Sequence, residues 1–197
     1  VAKQVRITGL NVALMNFDAG NMAAGERGFL NDASQQDRFR ANVPIAIEFA
    51  RQINCPQLNA LVGNAIAGES HERQLERVRE NLAWAADCAA EANLGVVVET
   101  LNSFENPDYL LTNTTQALKL LAAVNRPNLK YQYDFYHMQR MEGNLIETLR
   151  KHIKQIGHIQ IADSPERHEP GTGEIHYPHV LAFLDALGYQ GYVGLEY

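Results

Sequence analysis

Apolar and polar positions change period along the chain in a regular order. From Ser34 to Asn54 the residues Phe39, Val43, Ile47, Ala50 and Ile53 recur at helical spacing. Ser34 followed by Asp37 reads as a start signal, and Pro44 predicts a kink or a later start. Ser70 to Asn93 is the clearest helix, with Leu75, Val78, Leu82, Ala85, Ala86 and Ala89 inward and Glu and Arg outward. Helices also follow near Asn113 to Val124, Asn144 to Ile153 and Pro178 to Leu187, the last with proline in its first turn and Gly188 as a stop. Strands are expected within Gln4 to Asn16 and over Leu58 to Gly63, Val96 to Glu99, Leu129 to Phe135, Ile156 to Ala162 and Tyr192 to Tyr197. Phe17 to Asn31, rich in Gly, Ala and Asn, is a loop of a length that usually carries function. Six strands alternating with helices and no hairpin signal predict an α/β fold with a parallel sheet.

The stretch Leu129 to Gly143, LKYQYDFYHMQRMEG, shows where chemistry enters this alternation. Lys130, Gln132 and Asp134 share one face, and Leu129, Tyr131, Tyr133 and Phe135 share the other. Asp134 thus ends a strand, and His137 follows in what reads as a loop. An isolated pair of this kind is more often a turn cap and a packed ring. Other strands end alike, however: Glu99 in VVVET, Gln160 in GHIQIAD and Glu196 in YVGLEY, each roughly one βα unit from the next. The strand period pairs Val97 with Glu99, His158 with Gln160 and Gly194 with Glu196. An open doubly wound sheet would be apolar on both faces. Polar groups at the carboxyl ends instead converge on the axis of a closed (β/α) barrel, where such barrels keep their active sites. Three carboxylates brought together would raise one another's pKa unless a cation neutralised them. With Gln160 supplying an amide oxygen, the donor set is all oxygen and favours Mg2+ or Mn2+ over zinc.

Composition narrows the classes. The 197 residues, 46% apolar and 20% charged, suit one domain over residues 1–197 with a sizeable core. No apolar run reaches membrane-spanning length, and Val1 to Arg6 lacks the apolar core of a secretory signal, so cytoplasm is the default. Cys55 and Cys88 have no paired spacing and read as reduced thiols. A net charge of -6 with 17 scattered basic residues argues against nucleic acid and for a small polar substrate. Glu26 and Arg27 in AAGERG read first as solvated charges and second as substrate contacts. His158 reads as a satisfied interior ring, or else a contact beside the site, and His176 with His179 as solvated. GTGE at Gly171 to Glu174 lacks the ending of a phosphate loop.

The chain also resembles the xylose-isomerase-like barrel superfamily and, within it, the hydroxypyruvate isomerase family, which includes enzymes of 2-oxo-tetronates. The resemblance runs from about Met15 to the last residue. AAGERG at Ala23 to Gly28, YDFYHMQRMEG at Tyr133 to Gly143, GHIQIAD at Gly157 to Asp163 and EPGTGEI at Glu169 to Ile175 carry it. Related keto-sugar epimerases have His where Gln160 stands, which points to the isomerase branch. The resemblance implies that Glu99, Asp134, Gln160 and Glu196 hold the metal and that Glu99 and Glu196 also transfer the proton. It implies substrate binding by His137 and Arg167, with Arg27 the other candidate for a substrate carboxylate. Glu105 matches a hydroxyl-binding acid of the epimerases, and an exposed loop acid is an equal reading. The implied substrate is a small hydroxy-keto acid: hydroxypyruvate and tartronate semialdehyde, or a 2-oxo-tetronate and its 3-oxo isomer, interconverted through an enediolate. A keto-sugar epimerase and an inactive partial barrel are the alternatives. Family members form a (β/α)8 TIM barrel whose first two βα units have no counterpart here, leaving six countable strands. Two unpaired edges would then flank the metal site, which a second copy in a homo-oligomer could cover.

Overall fold

The computed structural model describes residues 2–197, without the side chain of Arg6. Val1, part of the stretch read above as lacking a signal, lies outside the described residues. Six strands form one parallel sheet in chain order: β1 (Met15–Asn16), β2 (Gln57–Asn59), β3 (Gly95–Glu99), β4 (Leu129–Asp134), β5 (Ile156–Ile161) and β6 (Val193–Leu195). Among the described residues seven α-helices accompany them: α1 (Ala2–Thr8), α2 (Gln36–Gln52), α3 (His71–Glu91), α4 (Thr114–Val124), α5 (Phe135–Met141), α6 (Leu145–His152) and α7 (Tyr177–Ala186). The sheet curls as part of a TIM barrel and has β1 and β6 as its edges.

The alternation within each strand divides the sheet into two unlike faces. Leu58, Val96 and Val98 join Phe39, Val43, Val78 and Leu82 of α2 and α3 in one apolar cluster. Tyr131, Tyr133, Ile159 and Ile161 join Leu149, Val180 and Leu184 of α6 and α7 in a second. Tyr131, Tyr133 and Phe135 pack edge to face at centroid separations of 5.5 and 5.4 Å, and Phe135 stacks on Tyr177. The alternate residues, Asn59, Glu99, Gln132, Asp134, His158 and Gln160, belong to neither cluster and occupy the concave face.

Local signals set the helix ends. Ser70 caps α3 by accepting from Arg73 N–H, Asn113 caps α4 by accepting from Gln116 N–H, and Asn125 closes α4 in the left-handed conformation. α2 begins at Gln36, ahead of Pro44, and runs through it. The ring removes the donor for the Arg40 carbonyl, a loss tolerable because Arg40 is exposed to water.

One sequence expectation is narrowed and one is corrected. The strand expected within Gln4 to Asn16 is present but is only Met15 and Asn16, which pair with β2; residues 9–14 are neither helix nor strand, and Gln4 to Thr8 belong to the helix α1. Its short apolar run satisfies either period, and packing of Ala2 and Val5 against the first core cluster decides for helix. His137 is not in a loop but in the first turn of α5, which starts directly after Asp134.

Candidate active site and metal centre

Each βα unit delivers a polar side chain to the same end of the sheet. Glu99 closes β3, Asp134 closes β4, and Gln160 of β5 is in register with Asp134. Glu196 stands one residue past β6 and is held by its backbone N–H donating to the Ile161 carbonyl (3.0 Å). Glu99, Gln160 and Glu196, with His137, Arg27, Glu105 and Arg167, line one cavity of about 130 Å3. Asp134, 1% exposed, is as deeply buried as His137 and more so than Glu99.

The buried acids are electrostatically costly as they stand. Burial pushes the Glu99 carboxyl well above the usual carboxylate range, and the charges of Asp134 and Glu196 add to this. Asn59 Nδ2, donating to Glu99 Oε2 at 3.1 Å, and Gln132 pull it back in part. Burial likewise raises Asp134, to about 6, against the opposing His137 N–H and the Arg167 charge. Asp134 divides its oxygens: Oδ1 accepts the His137 N–H (3.2 Å) and caps α5, whereas buried Oδ2 has no hydrogen-bond partner among the described residues. Donor atoms of Glu99, Asp134 and His137 lie within 4.8 Å of one another. Glu196 is turned aside, its Oε2 accepting from Arg167 Nη2 at 2.8 Å, and its side chain is 47% exposed. Its carboxyl is also raised, by burial first and by Asp134 second.

A hard cation fits these residues. The orphaned Asp134 Oδ2, a second carboxylate close by and an amide oxygen on the next strand form an oxygen donor set whose mutual repulsion a divalent charge would relieve.

The surrounding groups have defined donor roles. The backbone N–H of Asn102 donates to His137 Nδ1 (3.2 Å), so the ring proton belongs on Nε2, which lies 3.9 Å from Asp134 Oδ2. Burial, and next the Arg167 charge, lower the His137 pKa to about 3, so the ring is neutral at physiological pH. Arg27 is fixed by Nε donating to Asn106 Oδ1 (2.7 Å) and Nη1 to the carbonyls of Met22 and Glu26, leaving Nη2 without a partner among the described residues. Gly28 holds this loop against the strand end: at φ +89° it approaches Leu61 so closely that a Cβ would fall 2.0 Å from the Leu61 carbonyl oxygen. Arg167, itself at φ +58°, reaches Glu196, sits 3.8 Å from Glu105 Oε2 and lies over the Tyr136 ring. Glu105 accepts from Tyr136 Oη, from Asn102 Nδ2 (3.2 Å) and from Arg140 Nη1 (3.2 Å). Burial pushes its carboxyl up, but these donors and the two arginines outweigh it and hold Glu105 below the usual range.

Polar residues that touch this site and went unassigned from sequence include Asn59, Asn102, Asn106, Gln132, Tyr136 and Arg140. The only signal for any of them was the shared strand face of Gln132 and Asp134. His158 is buried with Nδ1 unpaired, and His176 and His179 are exposed at the start of α7. Cys55 and Cys88 are free thiols.

A parallel, helix-wrapped sheet with an acidic cavity at its carboxyl end is the arrangement of one large barrel class. The chain belongs to the xylose isomerase-like TIM barrel family, whose model matches residues 1–197. It is 44% identical to hydroxypyruvate isomerase of Escherichia coli (strain K12) over 95% of this chain and 73% of that protein. It is 38% identical to 2-oxo-tetronate isomerase of Pectobacterium atrosepticum over its full length and 75% of that protein. The crystal structure of AP endonuclease, family 2, from Brucella melitensis superposes with a TM-score of 0.95 at 38% identity, covering 100% of this chain and 76% of that one. With these relatives the chain falls in the isomerase branch of the family, hydroxypyruvate isomerase-like.

Proposed function

We propose that the chain is a divalent-metal-dependent isomerase of a small hydroxy-keto acid, interconverting hydroxypyruvate and tartronate semialdehyde or a 2-oxo-tetronate and its 3-oxo isomer. The observation that carries this reading is the unpaired Asp134 Oδ2 beside Glu99, next to a cavity that also holds Glu196 and two arginines. Glu99, Asp134, Gln160 and Glu196 would hold Mg2+ or Mn2+. The ion, when bound, lowers the cost of negative charge on the substrate's carbonyl and hydroxyl oxygens.

For hydroxypyruvate, one glutamate takes a proton from C3, and a proton returns at C2 from the Glu99–Glu196 pair, while the hydroxyl proton passes from O3 to O2. No bond between heavy atoms breaks, and the carbonyl has moved by one carbon. His137 donates from Nε2 to the oxygen that gains charge, because Nδ1 is occupied as an acceptor. Arg27 Nη2 and the Arg167 guanidinium are the donors for the substrate carboxylate. A small cavity with two arginines favours a short acid over a neutral sugar. The relative named an endonuclease does not change this reading, because the donor cluster here is two carboxylates with one histidine, and the chain carries a charge of -6.

The test is proton NMR of hydroxypyruvate turnover in heavy water, with Mn2+ or Mg2+ restored after chelation. Solvent deuterium should appear at carbon in the product. Glu99→Gln and Glu196→Gln should each lose about 100-fold or more in kcat. Undiminished turnover after chelation, or by both variants, would overturn the proposal.

A further inference from the structure

Gln132 is buried on the concave face of β4, in register with Glu99 on one side and His158 on the other, and no reaction step uses it. Its Nε2 donates to Gln160 Oε1, and its amide also lowers the Glu99 pKa by hydrogen bonding. The price is visible: Gln132 Oε1 is buried with no partner among the described residues. Rotating that amide by half a turn would face its oxygen toward the Gln160 oxygen and the Glu99 carboxylate, so two acceptors dictate its orientation.

Gln160 has the complementary problem. The two ends of a primary amide are alike in size, and the torsion that exchanges them is soft and nearly two-fold. Only the oxygen end can ligate a cation. A carbonyl oxygen has two lone pairs, so one can accept from Gln132 while the other remains free for an ion. The opposite end of the Gln160 amide hydrogen bonds the Glu196 carboxylate and lowers its pKa, which fits the same orientation.

We infer that Gln132 is a positioning residue that fixes the oxygen end of Gln160 toward the metal, and so sets the site's affinity for a divalent ion without touching that ion. This rests on the metal reading above. A partner that orients a ligand typically contributes 10- to 100-fold in metal affinity.

The experiment is calorimetric titration of the chelator-treated full chain with Mn2+ alone, alongside thermal unfolding of each metal-free variant. Gln132→Met should bind Mn2+ about 10- to 100-fold more weakly than wild type. In a Gln160→Ala background the same change should cost no more than about twofold, because the residue it acts through is gone. Gln132→Glu keeps the shape and adds negative charge, and serves where Gln132→Met fails to unfold cooperatively. Weaker Mn2+ binding by Gln132→Glu supports orientation, and tighter binding overturns it. Equal affinity of wild type and Gln132→Met, or losses that multiply in the double variant, overturns the inference alone. No Mn2+ binding by wild type overturns the metal reading with it.

Discussion

At the scale of single residues the site is a set of divided loyalties. Asp134 gives one oxygen to a helix cap and keeps the other unpaired, and Glu105 is shared among a tyrosine, an asparagine and two arginines. Glu105 makes a pH prediction. Its folded pKa lies below the ordinary glutamate value of about 4.3, so its contribution to stability is present above that pH and is lost as the pH falls through the folded value. Glu105→Gln should therefore melt below wild type at pH 7, and the gap should close in more acidic solution. A gap unchanged down to pH 3 would show that charge is not what Glu105 supplies. The spacing of Asp134 and His137, and the acids at strand ends, were legible in the letters because strand period and carboxylate chemistry coincide there. Tyr136 and Arg140 were not, since their partner Glu105 comes from a different βα unit. Asn59 was missed for another reason, that a buried amide has no charge signature until its acceptor is seen; the strand period placed Gln132 on the face of Asp134 but gave no sign of what it bonds.

At the scale of elements, capping and amphipathic period account for what the sequence predicted well. α3 was legible because an apolar stripe, a serine cap and charged outer positions agree. Leu82 is fully buried on that stripe. Leu82→Ala should cost about 2–5 kcal/mol, read as a lower urea midpoint at an unchanged slope. A loss under about 1 kcal/mol would mean that the helix repacks around the void. α1 was illegible for the converse reason. It has seven residues, too few for periodicity to discriminate, and its state depends on what Ala2 and Val5 pack against. α5 was hidden by brevity too, though the Asp134 cap that starts it could be read as a turn signal.

At the scale of the whole molecule, strand order follows chain order, so each strand meets the neighbours that sequence proximity favours. The parallel sheet was inferable from alternation alone, and the barrel class from the polar groups at the strand ends. The extent of pairing was not, because it depends on how far each edge finds a partner. β3, β4 and β5 pair on both sides, whereas β1 and β6 pair on one side and are short. Amide hydrogen exchange should therefore be slowest in β3 to β5 and fastest in α1, β1 and β6. Equal protection of β1 and β4 would mean that the free edges are covered in solution. Among the described residues no helix is long and apolar enough to cross a membrane.

The separation of the strand residues into a packed set and a cavity set has an evolutionary corollary. Every second position answers to the helices outside, and the positions between answer only to what occupies the bowl. Inherited changes in one set need no compensation in the other, so a lineage of such scaffolds can acquire a new reaction while its architecture descends unaltered.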